Sequence, residues 1–211
     1  MSEAGVESCF PQIAANPYPW PFDGRWSVGT TAYLLFGFQT EAIATLDAAE
    51  AAAVAGRILA AVRSARIRVI FSRRTLGAGA NPMASRHGGE NVPPNSGIAD
   101  ALAPRRGEPI VDHAGDNAFL RTDLAAQLRV AGIRNLLIAG LPTDGLMHAS
   151  MRAANDHGFE CLAIADACAG TQIGFHEAQL RITAFGNGLF GAVADSAAVL
   201  AALKAPPSSK G

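Results

Sequence analysis

Six short apolar runs, separated by helix-like stretches and turn-rich loops, constrain this chain more than any other feature. The runs are Ala32 to Phe38 (AYLLFGF), Ile67 to Ser72, Pro109 to Asp112, Asn135 to Ala139 (NLLIA), Glu160 to Ala165 and Leu189 to Val193. Most are bare apolar stretches without strict polar alternation, which reads as strands buried on both faces. Between them, Val54, Ile58, Leu59 and Val62 recur at helical spacing in Asp47 to Ala65. Leu124 and Leu128 mark a helix over Thr122 to Ala131, stopped by Gly132. Thr143 or Asp144 can cap a helix running to about Asp156, and further helices are expected near His176 to Phe185 and up to Leu203. Strands joined by crossover helices form a parallel sheet covered on both sides. The expected fold class is therefore α/β, a three-layer α/β/α sandwich with a six-stranded parallel sheet. Residues 1–30 read as a proline-rich N-terminal arm, 31–204 as the α/β domain and 205–211 as a disordered tail. Arg74 to Pro94 reads as a long excursion loop, of the kind that often covers sites. Sites in such folds lie at the carboxyl ends of strands, which directs attention to Gly37, His113 and the turn after Ala139.

Bulk properties remove several function classes. The formal net charge of -1 argues against a nucleic-acid partner. No apolar run approaches the roughly 18 residues needed to span a bilayer, so no membrane partner is expected. The first twenty residues lack a basic segment followed by an apolar one, so no secretory signal is read there. Cys9, Cys161 and Cys168 form neither a metal spacing nor an even disulfide set, which suits a reducing, cytoplasmic setting.

Three segments carry a resemblance to the isochorismatase-like cysteine hydrolases, whose fold is Rossmann-like. They are YLLFGFQ, VDHAGDNAFLRTDL and NLLIAGLPTDGLMHASMRAANDHGFE. The family usually has Asp-Met-Gln closing the first, a Lys followed by Ser-Ala-Phe in the second, and Gly, Thr and Cys-Val ahead of a helix in the third. The resemblance runs from about Asn16 to Leu203. NPYPWPFDG at Asn16 to Gly24 and LFGAVADSAAVLAAL from Leu189 look most like the biuret amidohydrolase branch.

The resemblance implies nucleophilic amide hydrolysis, in which a thiolate attacks the carbonyl, an Asp moves the proton and a Lys supports the pair. Carried over by position, however, the Asp site holds Gly37, the Lys site His113 and the Cys site Leu146. Gln39 matches the family. The residue four before the Cys site follows a cis peptide in the family and supplies an oxyanion N–H. Here it is Pro142, which suits a cis bond but has no N–H to give.

The expected function is that of a pseudoenzyme, which binds a small amide- or ureide-like ligand or partners an active subunit. The alternative is an active hydrolase on a small C–N or ether substrate, using residues such as His113. The expected ligand-binding residues are Phe36, Gln39, His113, Asn117, Phe119, Pro142 and Thr143. No cofactor and no metal are expected, since the excursion loop offers only His87 to join His113 and His148. Cys168 lies near a strand end, but a small buried cysteine is the plainer reading. The resemblance also implies a homo-oligomer, a dimer or tetramer, with Met147, His148, Met151 or Arg152 at an interface.

Overall fold

The computed structural model describes residues 9–75 and 96–205. The excursion loop beyond Thr75, with His87, and the tail beyond Ala205 lie outside the described residues. The strands are β1 (Thr31–Phe36), β2 (Arg68–Arg74), β3 (Ile110–His113), β4 (Asn135–Gly140), β5 (Glu160–Cys168) and β6 (Ala192–Ala194). They form one six-stranded sheet in the order β3-β2-β1-β4-β5-β6, with every pairing parallel. The helices are α1 (Thr40–Thr45), α2 (Ala49–Ser64), α3 (Leu124–Val130), α4 (His148–Asp156), α5 (Ile173–Gly188) and α6 (Ser196–Lys204). This is the three-layer α/β/α architecture that the apolar runs imply.

The layers follow from strand periodicity. Successive side chains of β1 point to opposite faces. Tyr33 and Leu35 join Val54, Ile58 and Leu59 of α2 and Val199 of α6 in one core. Ala32, Leu34 and Phe36 join Leu124 and Leu128 of α3 and Met151 of α4 in the other. Every residue of β1 and β4 is buried, as two-sided packing demands.

Residues 9–30 are not a loose arm. Ile13, Trp20 and Trp26 are fully buried in the α2 and α6 core. The Trp26 indole donates to the Pro11 carbonyl at 2.8 Å. Asn16 and Val193 exchange two backbone hydrogen bonds, so the segment covers the free edge of β6.

Other boundaries differ from expectation for local reasons. The six-residue α1 is too short to show a periodic signature in sequence. Gly186 and Asn187 take positive φ and break the last turn of α5. The chain then crosses Gly188 and Gly191, both at positive φ, so β6 starts at Ala192 rather than Leu189. At Gly191 any Cβ would come within 2.3 Å of the Cys161 carbonyl oxygen.

Candidate functional site

The sheet reverses its winding between β1 and β4, and the carboxyl ends of these neighbours define the crevice where doubly wound folds place their sites. β1 runs out at Phe36, and Gly37 turns the chain with φ +71°. Its N–H donates to the Ser72 carbonyl of β2 at 3.2 Å. β4 runs out at Gly140, and the following Leu141–Pro142 peptide is cis, as its place in the turn leads one to expect. From Pro142 the chain enters a wide π-helical turn, Thr143–Met147, that feeds α4. No side chain caps this turn. Thr143 and Asp144, the expected caps, are used elsewhere. The Thr143 hydroxyl pairs with Nδ1 of His176 on α5 at 2.8 Å. The Asp144 carboxylate accepts from the backbone N–H and the hydroxyl of Thr171.

Of the three positions singled out by sequence, Gly37 and Leu146 touch here, and His113 connects to the Gly37 turn by way of Ser72. Leu146 is only 3% exposed and presses on Gly37. A Cβ on Gly37 would stand 2.9 Å from Leu146 Cδ2 and 2.5 Å from the Leu141 carbonyl oxygen. His113, at the end of β3, reaches Ser72. Its Nδ1 lies 2.7 Å from the Gly115 carbonyl oxygen and its Nε2 lies 3.2 Å from the Ser72 hydroxyl. A carbonyl only accepts, so Nδ1 carries the proton and Nε2 accepts from Ser72. Burial pushes the imidazole below its ordinary value of 6.5, against the pull of the Gly115 carbonyl and Asp116, so the ring is neutral near pH 7.

The remaining expected binding residues are largely spent on the fold. Gln39 donates to the carbonyls of Arg74 and Ser96 and to the Ser96 hydroxyl, and accepts from the Arg74 N–H. It thus pins both ends of the excursion segment. Phe36 and Phe119 are buried in the α3 and α4 core. Asn117 is half-buried and accepts from the Phe119 N–H at 2.9 Å, closing a local turn. Pro142 is half-buried. Arg73 pairs with Asp112 through two bonds of 2.8 Å, and Arg74 meets Asp116 at 3.3 Å, so the nearby charges cancel in pairs.

Among the described residues no cysteine is poised as a substitute nucleophile. Cys168 ends β5, and burial pushes its thiol up to about 12, despite a bond to Gly140. Burial also raises Cys161. Among the described residues no group of three or more His, Cys, Asp or Glu is placed to hold a metal ion. Met147 and Met151, expected at an interface, are core residues against the sheet, because α4 turns its apolar stripe inward. His148 is buried as well and meets the Phe190 ring edge-on. Of those four, Arg152 is the exposed one, with its guanidinium over the same ring. Ser72 and His176 escaped the sequence reading, since neither belongs to a recognisable spacing.

Comparison with known proteins agrees with this fold. The family model of the isochorismatase domain matches residues 31–198. The chain is 31% identical over 87 residues to maleamate amidohydrolase of Pseudomonas putida, which is 41% of each protein. It is 30% identical over 76 residues to an uncharacterized isochorismatase family protein of Bacillus subtilis, 36% of this chain and 42% of that one. The matches therefore span less than half the length of these curated relatives. A cysteine hydrolase from Pseudomonas syringae pv. phaseolicola superposes with a TM-score of 0.75 at 21% identity, covering 92% of this chain and 97% of that one.

Proposed function

Because the chain belongs to the isochorismatase family, we propose that it is a silenced member of it: a protein that keeps the hydrolase fold and performs no amide hydrolysis. The observation that carries this reading is the contact between Gly37 and the Leu141–Leu146 turn. If Gly37 occupies the family's carboxylate position, an Asp there would drive its Cβ to 2.5 Å from a backbone oxygen. Real Cβ atoms essentially never come that close. Leu146 brings an alkyl group where a thiolate would attack, and Pro142 brings no N–H for an oxyanion. A neutral His113 replaces a cation. The loss of charge is coherent, since a lone buried carboxylate or ammonium without its partner is costly.

The alternative, catalysis through His113, has one observation in its favour: Nε2 accepts from the Ser72 hydroxyl while Nδ1 is held by the Gly115 carbonyl, the arrangement of a base beside a nucleophile. Any small amide-like ligand would draw on Asn117, the half-buried polar side chain that follows β3. Assignment to the biuret amidohydrolase branch rests on the sequence resemblance of Asn16 to Gly24 and Leu189 to Leu203.

The test is ammonia release from maleamate, biuret and nicotinamide. Wild type is expected to match the buffer blank. Turnover lost in His113→Ala would establish the alternative hydrolase, and turnover lost in Cys168→Ala would reveal a relocated thiol.

We further infer that the protein self-associates through α5. Ile173, Phe175, Ile182, Phe185 and Leu189 are all exposed on or beside this helix. Exposed large apolar side chains gathered on and beside one helix are of the kind that a partner surface covers. Among the described residues, Nε2 of the nearby buried His148 also has no hydrogen-bond partner. Sedimentation at micromolar concentration should give a dimer or tetramer, shifted toward monomer by Phe185→Glu; a wild-type monomer would refute the inference.

A further inference from the structure

Opposite the crevice, at the amino-terminal ends of the strands, lies an open cavity of about 530 Å³. It is walled by the end of α2 (Arg63, Arg66), the start of β2 (Ile67 to Val69), the turn before β3 (Arg105 to Glu108) and the approach to β4 (Ala131, Ile133). Five of the chain's fifteen arginines line it: Arg63, Arg66, Arg68, Arg105 and Arg106. One carboxylate, Glu108, faces them. For a chain of net charge -1, this is a strong local excess of positive charge.

The charges do not cancel at the site. Glu108 is taken by Arg63 in a fork of 2.8 and 2.6 Å, and also accepts from the Arg105 N–H at 2.7 Å. Arg63 further donates to the Ala103 carbonyl. This neutral pair braces α2 against the turn before β3. Among the described residues, no carboxylate lies within 4.0 Å of the guanidinium groups of Arg66, Arg68, Arg105 or Arg106. Arg63 and Arg66 also complement the carboxyl end of α2, which accounts for cations at those two positions. It does not account for Arg68, Arg105 and Arg106, which belong to no helix end. Arg66 in addition holds a left-handed φ of +60°, uncommon for a residue with a side chain.

We propose that this cavity binds a small molecule carrying a condensed phosphate, such as a nucleoside diphosphate. Arg66, Arg68 and Arg106, with Arg105 drawn partly toward Glu108, leave an excess of guanidinium charge around one cavity that an anion of high charge density would neutralise. Guanidinium pairs phosphate oxygens in a bidentate manner, and a diphosphate concentrates three charges in the space of a few atoms. The buried side chains of Ile67, Val69 and Ile133 supply an apolar floor for the carbon body of such a ligand. The volume falls within the usual range for small-molecule sites, about 300–1,000 Å³.

Calorimetric titration of the full chain with ADP, pyrophosphate, AMP and citrate tests this. ADP and pyrophosphate are expected to bind at one site per chain, and AMP at least tenfold more weakly. Arg68→Gln combined with Arg106→Gln changes exposed side chains, so the unliganded melting temperature should stay put while ADP affinity falls at least about tenfold. A control pair of the same charge change, Arg57→Gln with Arg181→Gln, should leave ADP binding intact. Absence of binding by ADP and pyrophosphate, or equal loss in the control pair, would overturn the site. Citrate binding as tightly as pyrophosphate would overturn the phosphate assignment. A single-stranded oligonucleotide outcompeting ADP at equal phosphate concentration would overturn the small-molecule assignment.

Discussion

Gly37→Asp, made to restore a carboxylate at the end of β1, is expected to destabilise the protein by about 3 kcal/mol or more and to restore no activity. Two independent terms add. A side chain in the left-handed region costs about 1–2 kcal/mol, and Gly37 sits at φ +71°. Forcing atoms into a packed site costs about a further 1–3 kcal/mol, and here the nearest obstacle is the Leu141 carbonyl oxygen at 2.5 Å, which no rotamer change removes. Gly37→Ala should lose nearly as much, because both terms arise at Cβ. For a chain of this size the loss corresponds to a fall in melting temperature of about 6–12 °C. A Gly37→Asp variant as stable as wild type would show that the crevice opens readily, and would remove the steric half of the silencing account.

Trp20→Ala and Trp26→Ala are each expected to cost about 3–5 kcal/mol, as for other large-to-small changes in a packed core. Both indoles are fully buried, and their rings pack 5.7 Å apart between the amino-terminal segment and the α2 and α6 layer. Trp26→Ala also strands the Pro11 carbonyl that the indole satisfies. Chemical denaturation of each variant checks this. Losses below about 1 kcal/mol would mean that residues 9–30 are a detachable arm after all.

These residues show where the sequence was legible and where it was not. β1 and β4 could be read because a strand buried on both faces is written as an uninterrupted apolar run, TAYLLF or NLLIAG. The amino-terminal segment could not, because Phe10, Ile13, Trp20 and Trp26 obey no period; they are buried by three-dimensional closure across prolines. The stripe on α4 was visible, but periodicity states only that one face is apolar and not what covers it. Met147 and Met151 cover the sheet rather than a partner. Gln39 stood out at the right place beside the crevice. Its task became visible only when its amide was seen to tie Arg74 to Ser96, across a gap in sequence that no local pattern spans. The positions Gly37, His113 and Leu146 come from the family resemblance; the structure packs Gly37 against Leu146 and ties His113 to Ser72. That Gly37 leaves no room for a larger residue is a property of the Leu141 turn, and no reading of residue types alone reveals it.

The central claim is that this crevice holds no competent nucleophile, and covalent labelling tests it most directly. Native protein is treated at neutral pH with an acyl electrophile such as a p-nitrophenyl ester, and the labelled peptides are identified by mass spectrometry. Burial pushes the Cys168 thiol up to about 12, so it stays protonated at pH 7, and His113 has both nitrogens engaged. The account predicts no acyl group on Cys168, His113 or any other residue of the crevice, with Cys168 labelled only after denaturation. Rapid stoichiometric acylation of Cys168 or His113 in the folded protein would contradict it.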